Sequence, residues 1–168
     1  MSARTAAAGA RRHLLWLALA LLQAACGFHL QGHAPLPQSF HTTYVEARDE
    51  QSNFVQGLRK ALLIAGANVA DSSTDAGAVV HVLDDRMTER VLAVSPSNIP
   101  VEYELTYTVR FSVAANGKEL LSPQEVSARR DFSFDEHVLL AKDNEEAILH
   151  DALARDLVGV VMRRLSSL

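Results

Sequence analysis

The clearest pattern in the chain is an alternation of apolar and polar residues that runs from residue 101 to residue 113. The odd-numbered residues of this segment are apolar and the even-numbered residues are polar, without an exception. A period of two predicts a β-strand with one covered face and one face exposed to water. Asn116 and Gly117 follow the segment, and this pair favours a tight hairpin turn into another strand. The apolar positions are Val101, Tyr103, Leu105, Tyr107, Val109, Phe111 and Val113.

Three other segments have the composition of strands. A short strand is predicted within residues 40–47, a longer one over residues 79–94, and a third over residues 126–134. Pro123 is expected to separate this third strand from the residues before it, because proline cannot donate a backbone hydrogen bond. Residues 95–100 contain two prolines and are predicted to form a turn.

Arg130 interrupts the apolar face of the third of these strands. Ala128, Phe132 and Phe134 occupy the same face. A charged side chain on a covered face is costly unless it is paired. We therefore expect Arg130 to reach past the edge of the sheet or to pair with an acidic residue.

Apolar residues recur at helical spacing between residues 54 and 65, which predicts the first helix. Ser52 or Asn53 can cap its beginning, and Gly66 favours its end. Gly57 lies inside it and weakens it by about 1 kcal/mol relative to alanine.

A second helix is predicted to begin at Asp143, which has capping-box spacing with Glu146. Its apolar stripe should pack beside the first helix. The predicted fold is therefore α+β, a two-layer sandwich in which two helices pack on one face of a mainly antiparallel four-stranded sheet. The stripe consists of Leu149, Leu153, Leu157, Val160, Val161 and Leu165.

The N-terminal segment has the features of a signal peptide. Arginines precede the apolar run of residues 14–22, and no acidic residue occurs in residues 1–25. A helix over residues 14–25 would be about 18 Å long at 1.5 Å per residue, which is too short for a membrane span of about 20 residues. We expect residues 1–25 to be removed, leaving residues 26–168 as a single domain.

Cys26 is the single cysteine and follows two alanines directly. Leu22-Gln23-Ala24-Ala25-Cys26 resembles the bacterial lipobox, although Gln23 stands where leucine is favoured. The resemblance implies an N-palmitoyl, S-diacylglycerol cysteine that anchors the domain, and Gly27 favours export to the outer membrane. A buried cysteine behind an ordinary signal peptide is the alternative.

Charge and composition exclude several classes of protein. The chain has 16 basic and 20 acidic residues and a net charge of −4. Removal of residues 1–25 takes away three arginines, which leaves 13 basic and 20 acidic residues and a net charge of −7. An acidic domain is a poor nucleic-acid binder, and 48% hydrophobic residues argue against disorder. One cysteine excludes a disulfide scaffold.

The sequence carries no catalytic, metal-binding or cofactor motif that we recognise, despite seven histidines. We expect no enzyme, no metal and no cofactor other than the covalent lipids. The alternative is a small hydrolase or metal binder built around the His and Asp residues, which substitution of His81 and His137 would test. Local basic residues are the remaining candidates for chemistry. They either belong to solvated faces or recognise anionic phosphates. These residues are Arg86, Arg90, Arg129, Arg130 and Lys142.

Three segments resemble the LptE family of lipopolysaccharide-assembly lipoproteins. Residues 26–32, Cys-Gly-Phe-His-Leu-Gln-Gly, are similar to the start of the mature family domain, with Gln31 where arginine is common. Val101-Glu102-Tyr103 and residues 139–146, Leu-Leu-Ala-Lys-Asp-Asn-Glu-Glu, are similar to later segments.

The resemblance implies a lipid-anchored protein of the cell outer membrane that plugs the LptD β-barrel, assists its assembly and helps to deliver lipopolysaccharide to the outer leaflet. The domain would lie within the barrel lumen or face the periplasm. Lys142 is the implied contact for lipid A phosphate, whereas residues 95–100 lack the basic residue that family members can carry there. The alternative is another envelope lipoprotein that acts as a binding module.

Overall fold

The computed structural model describes residues 35–133 and 139–168, with backbone alone for residues 139–145. Within these residues two helices and one sheet form two layers, which confirms the predicted α+β sandwich. Short 3-10 turns precede two of the strands, at Gln38–Phe40 and Ser73–Asp75. The elements in chain order are β1 (Thr42–Ala47), α1 (Asn53–Ile64), β2 (Asn68–Val69), β3 (Ala78–Val94), β4 (Pro100–Ala115), β5 (Lys118–Ser133) and α2 (Leu139–Leu165).

In the described part of the chain the sheet has five strands in the order β2-β1-β3-β4-β5, so the prediction of four strands is wrong by one. The missed strand is β2, which has two residues and therefore carries no readable periodicity. β1 pairs in parallel with both β2 and β3, whereas β3, β4 and β5 form an antiparallel meander.

β5 begins at Lys118, well before the predicted start at residue 126. Pro123 lies inside this strand rather than in front of it. Among the described residues β5 pairs with β4 alone, and proline is tolerated on such an edge. The pairing also shifts here, since Phe111 faces Gln124 while Val113 faces Leu121. Pro123 thus occupies a bulge where the ladder is already interrupted.

The odd-numbered residues of β4 from Tyr103 to Val113 are buried, which confirms the strand and its covered face. They pack against the two helices. α1 contributes Phe54, Val55, Leu58 and Leu62 to this core, and α2 contributes Leu153, Leu157, Val161 and Leu165.

Both ends of α1 agree with prediction. The Ser52 hydroxyl caps the helix by accepting a hydrogen bond from Val55 N at 3.2 Å, and Gly66 follows the helix with φ +87°. A positive φ is the conformation that glycine adopts without steric cost.

The described part of α2 already includes Leu139, so the predicted start at Asp143 is wrong. Residues 139–142 are two leucines, an alanine and a lysine, which all favour helix, so the helix extends N-terminally past Asp143.

Candidate functional site

A β-bulge decides which residues of β3 face the helices and which face away. Val82 pairs with Phe111 on the helix-covered face, but the register then shifts between Val82 and Asp84. Because the shift inverts the alternation of the strand, Asp85 points toward the helices, and Arg86 and the alternate residues after it point away. The sequence carries no signal for this bulge.

The face of β3, β4 and β5 that lies away from the helices is called the open face here. No helix covers it among the described residues. Cross-strand pairing gives it rows in which arginine and acidic side chains alternate with threonine and serine. The rows are Arg90-Glu104-Asp131, Thr88-Thr106-Arg129, Arg86-Thr108-Ser127 and Asp84-Arg110-Glu125.

Two candidate arginines on the open face are already paired. Arg86 Nη1 donates to Asp84 Oδ2, and its Nη2 lies 3.9 Å from Glu125 Oε2. Arg90 Nη2 donates to Glu104 Oε1 at 3.1 Å. Exposed pairs of this kind contribute about 0.2–1 kcal/mol each. An anionic ligand can therefore displace them at modest cost.

Arg129 and Arg110 differ, because neither has an ion pair with another residue in the described part of the chain. Both side chains are exposed on the open face. Arg110 was not singled out in the sequence, although its place among the polar positions of β4 gives the signal that finds it. Considering only residues 35–133 and 139–168, the open face therefore offers two guanidinium groups without an ion pair.

Arg130 lies on the opposite face from Arg129, since neighbouring residues of a strand alternate. Its Nη2 donates to Asp156 Oδ2 on α2 at 2.8 Å. This confirms the expectation that Arg130 pairs with an acid. It also separates Arg130 from the other candidates.

Two predicted functional residues lie outside the described side chains. Cys26 falls outside the described residues altogether, and Lys142 is described only as part of the α2 backbone. Of the five basic candidates, the structure thus brings Arg86, Arg90 and Arg129 together on one face and places Arg130 on the other, and it describes no side chain for Lys142.

A polar network lies under α1, and the sequence gives no signal for it, because it depends on the bulge that turns Asp85 toward the helices. Ser52 Oγ donates to Asp85 Oδ2 at 2.5 Å, and the Tyr107 hydroxyl hydrogen-bonds to the same carboxylate. Burial, and after it the Asp85 carboxylate, raises the pKa of Tyr107 above its ordinary value. The network ties the first turn of α1 to β3 and β4.

A cleft of about 370 Å³ lies where β1 ends beside the bulge of β3. Three acids line it: Asp84 and Asp85 are engaged by Arg86 and Ser52, as described above, and Asp49 Oδ1 accepts a hydrogen bond from Gln51 N at 2.9 Å. His81 Nδ1 lies 2.5 Å from Glu46 Oε2, and His137 is outside the described residues.

Within residues 35–133 and 139–168 no group of three His, Cys, Asp or Glu side chains is arranged to hold a metal ion. In the same residues no helix is long and apolar enough to span a membrane.

Solved structures of bacterial lipoproteins are similar to this one. A crystal structure of rare lipoprotein B from Shewanella oneidensis is 26% identical, with a TM-score of 0.65 over 75% of this chain and 94% of that one. A solution NMR structure of an uncharacterized lipoprotein B from Nitrosomonas europaea is 27% identical, with a TM-score of 0.69 over 84% of this chain and 91% of that one. The fold is thus that of small α+β bacterial lipoproteins with two helices on an open sheet.

The family model described as LptE, Lipopolysaccharide-assembly, matches residues 40–165. A relative from Pectobacterium atrosepticum, named LPS-assembly lipoprotein LptE, is 25% identical over 146 residues, which cover 86% of this chain and 79% of the relative. The chain belongs to the LptE family. This is a family of non-enzymatic lipopolysaccharide-assembly lipoproteins, and membership agrees with an outer-membrane location.

Proposed function

We propose that this chain is an outer-membrane lipoprotein, anchored through a triacylated Cys26 after removal of residues 1–25. Its domain occupies the lumen of an LptD β-barrel, assists assembly of that barrel and helps to deliver lipopolysaccharide to the outer leaflet. Family membership supports the role in lipopolysaccharide assembly. The polar open face is the observation that best supports a position in the barrel lumen.

The open face has the chemistry that a barrel lumen requires. The interior of a large membrane barrel is polar, so a plug has to offer hydrogen-bonding and charged side chains over a wide area. Arginines, acids, threonines and serines fill the four rows of the open face, and the apolar residues of the same strands are turned toward the helices. The helices complete the core on their own side, which leaves the open face for a partner.

Lipopolysaccharide contact has to be local, because a domain with a net charge of −7 does not attract a polyanion over a distance beyond the Debye length of about 8–10 Å. Among the open-face arginines predicted from the sequence, Arg129 supports such a contact best, since it is exposed and makes no ion pair with another described residue. Arg86 and Arg90 would first have to leave their acidic partners. Lys142 is proposed from the family resemblance alone.

Co-purification tests the plug. The mature chain, with a C-terminal affinity tag, is extracted from cell envelopes in detergent, and we expect an LptD-type barrel to be recovered with it. Arg129→Glu should lower this recovery, whereas the matched variant Arg155→Glu, an equal charge reversal at an exposed position of α2, should not. Recovery of the chain without any barrel would favour the alternative, an envelope lipoprotein that acts as another binding module.

Depletion of the protein tests the cellular role. We expect lipopolysaccharide at the cell surface to fall when the chain is depleted. For direct binding, Arg129→Glu should weaken lipopolysaccharide affinity by about tenfold, which corresponds to the loss of one charge-assisted hydrogen bond. An unchanged affinity in this variant, and in Lys142→Ala, would remove the local cationic contact from the proposal.

A further inference from the structure

β3 has an edge without a partner strand beyond the end of β1. β3 pairs with β1 from Ala78 to Val82, and β1 ends at Ala47, which is the partner of Val82. In residues 35–133 and 139–168 the segment that follows, residues 84–91, pairs with β4 on one side and with no strand on the other. This outer side of residues 84–91 is called the free edge here. It lies between two register shifts, so its pairing with β4 is regular over about 26 Å at 3.3 Å per residue.

The other edges of the sheet carry features that oppose pairing with a further chain. Beyond β2, the edge of β1 is covered by α1, since Arg59 Nη2 donates to Val45 O at 3.2 Å. β5 contains Pro123, which offers no N–H group, and its ladder shifts at that point. Proline, bulges and covering elements are common protections of a sheet edge. Residues 84–91 contain no proline, and no bulge interrupts them.

The backbone of the free edge identifies the kind of molecule that fits it. Alternate residues of an antiparallel strand direct their N–H and C=O groups to the same side, so half of these groups in residues 84–91 face away from β4. Among the described backbone hydrogen bonds, none ties these outward groups to another element. Hydrocarbon offers such groups no hydrogen bond, which excludes a lipid phase as the occupant. An extended polypeptide satisfies both the donors and the acceptors, as in β-strand addition.

Side chains beside the free edge define the chemistry of an added strand. Arg86 and Arg90 project to the open face with 52% and 68% of their side chains exposed. Each guanidinium has five N–H donors, so it can bind an acidic side chain of a neighbouring strand and keep its present partner. On the opposite side Met87 and Val91 favour apolar neighbours, and the exposed Glu89 between them can remain in water. The segment that matches this edge alternates acidic and apolar residues.

The cleft at the end of β1 lies where the free edge begins. It is lined by residues 47–49 and 82–85 and has a volume of about 370 Å³. A strand added in line with β1 would end against residues 47–49, and the cleft provides space there for its last side chain, beside Val82 and the exposed Leu83. The residues that follow β1 therefore leave the start of the free edge accessible.

We propose that the free edge binds an extended segment of a partner polypeptide, which adds to β3 as a further strand in line with β1. The segment alternates acidic and apolar residues, with the acidic side chains beside Arg86 and Arg90 and the apolar side chains beside Met87 and Val91. This contact uses the edge of the sheet and not the open face. It therefore goes beyond the proposed function and does not depend on the barrel.

Amide hydrogen exchange tests whether the edge is available. The experiment uses the isotope-labelled mature chain, residues 26–168 with Cys26→Ser, and follows each amide by NMR. In the chain alone we expect alternate amides of residues 84–91 to exchange rapidly, and the others, which donate to β4, to exchange slowly. Slow exchange at every amide of this segment would overturn the inference, because residues outside the described part of the chain, or a second copy, would then already cover the edge.

A synthetic peptide tests the binding. The probe is an acetylated and amidated peptide of about nine residues in which glutamate and valine alternate. At about ten times its Kd, it should slow the rapid amides of residues 84–91 by about tenfold and leave the amides of β5 unchanged, because exchange then requires dissociation. A peptide with lysine in place of every glutamate is the matched probe. It should cause no slowing, since it brings like charges to Arg86 and Arg90.

Two controls separate strand addition from simple charge attraction. The double variant Arg86→Glu, Arg90→Glu should reverse the preference, so that the lysine peptide binds about tenfold more tightly than the glutamate peptide. Arg155→Glu, an equal charge reversal on α2, should leave the preference as it is. Two further glutamate peptides are methylated on backbone nitrogen, one at its glutamates and one at its valines. One of the two should bind and the other should not, because alternate residues of the peptide face β3.

Three results would overturn the inference. The first is a glutamate peptide at millimolar concentration that leaves the rapid amides of residues 84–91 unchanged. The second is equal binding of the two methylated peptides, since this would show contact through side chains alone. The third is slowing along β5 in place of β3. Failure to recover a barrel with the chain would count against the proposed function and leave these results as they are.

Discussion

Gly57 of α1 faces Val158 of α2, and its replacement by alanine tests how the two helices pack. A Cβ atom added at Gly57 would lie 3.2 Å from Val158 Cγ2. Carbon atoms in ordinary contact are about 3.5–4.0 Å apart, so the new methyl group is too close by about half an ångström. Val158 is buried and cannot rotate away readily, because a β-branched side chain in a helix has one strongly preferred rotamer.

Two effects of opposite sign set the magnitude for Gly57→Ala. Alanine is favoured over glycine inside a helix by about 1 kcal/mol, whereas overpacking a core costs about 1–3 kcal/mol. We expect a net decrease of about 1 kcal/mol in the free energy of unfolding. In a Val158→Ala background the close contact is gone, so Gly57→Ala should raise that free energy by about 1 kcal/mol. The expected coupling between the two positions is therefore about 2 kcal/mol.

Urea unfolding of the four members of this cycle, followed by circular dichroism at helical wavelengths, measures the coupling. The single tryptophan is Trp16, in the segment expected to be removed, so tryptophan fluorescence is not a suitable signal for the mature chain. If Gly57→Ala changed the free energy of unfolding equally in both backgrounds, the steric explanation would be refuted, and Gly57 would be a simple defect of helix propensity.

Three other substitutions test the polar contacts. Ser52→Ala removes both the cap of α1 and a hydrogen bond to Asp85. It should lower the free energy of unfolding by about 1–2 kcal/mol. An unchanged midpoint of urea unfolding would contradict this. A double-mutant cycle of Arg130→Ala and Asp156→Ala should give a coupling energy below about 1 kcal/mol that decreases with added salt, because both side chains are half exposed. A larger coupling energy that does not depend on salt would show that the pair does not behave as an exposed ion pair. Because the pKa of Tyr107 is raised, the native state keeps a proton that the unfolded chain loses above the ordinary pKa of 10.0. The free energy of unfolding should therefore fall as pH rises above 10.0, and this fall should be shallower in Tyr107→Phe. An identical pH profile in the variant would show that Tyr107 does not cause the fall.

The sequence predicts the fold well where one periodicity extends over many residues. The alternation in β4 and the stripe of α2 identify the covered faces, and Arg130 is recognisable as a misfit because its neighbours on that face are apolar. β2 is too short for any periodicity, and Pro123 suggests a break that an edge strand does not require.

The candidate site was less predictable because its geometry depends on pairing between strands. Arg129 and Arg130 are adjacent in sequence but lie on opposite faces, which the period of a strand already implies. The positions of Arg86 and Arg90 depend on the bulge after Val82, and a bulge is set by the partner strand rather than by the residues beside it. Their acidic partners cannot be read from the sequence either, because Glu104 lies on the neighbouring strand and Asp84 lies at the bulge.

The placement of α2 has a consequence for the order in which the domain can be completed. α1 and β1 come early in the chain, yet the surface they bury is closed by Leu153, Leu157 and Leu165, all of which are essentially inaccessible to solvent. A chain that is synthesised or threaded through a translocation pore from its N-terminal end cannot complete this core until residue 165 has emerged. The contacts that close the fold are thus among the most distant in sequence, and such topology slows folding. An unfinished chain of this kind cannot bury the apolar faces of α1 and β1 completely until the last helix arrives.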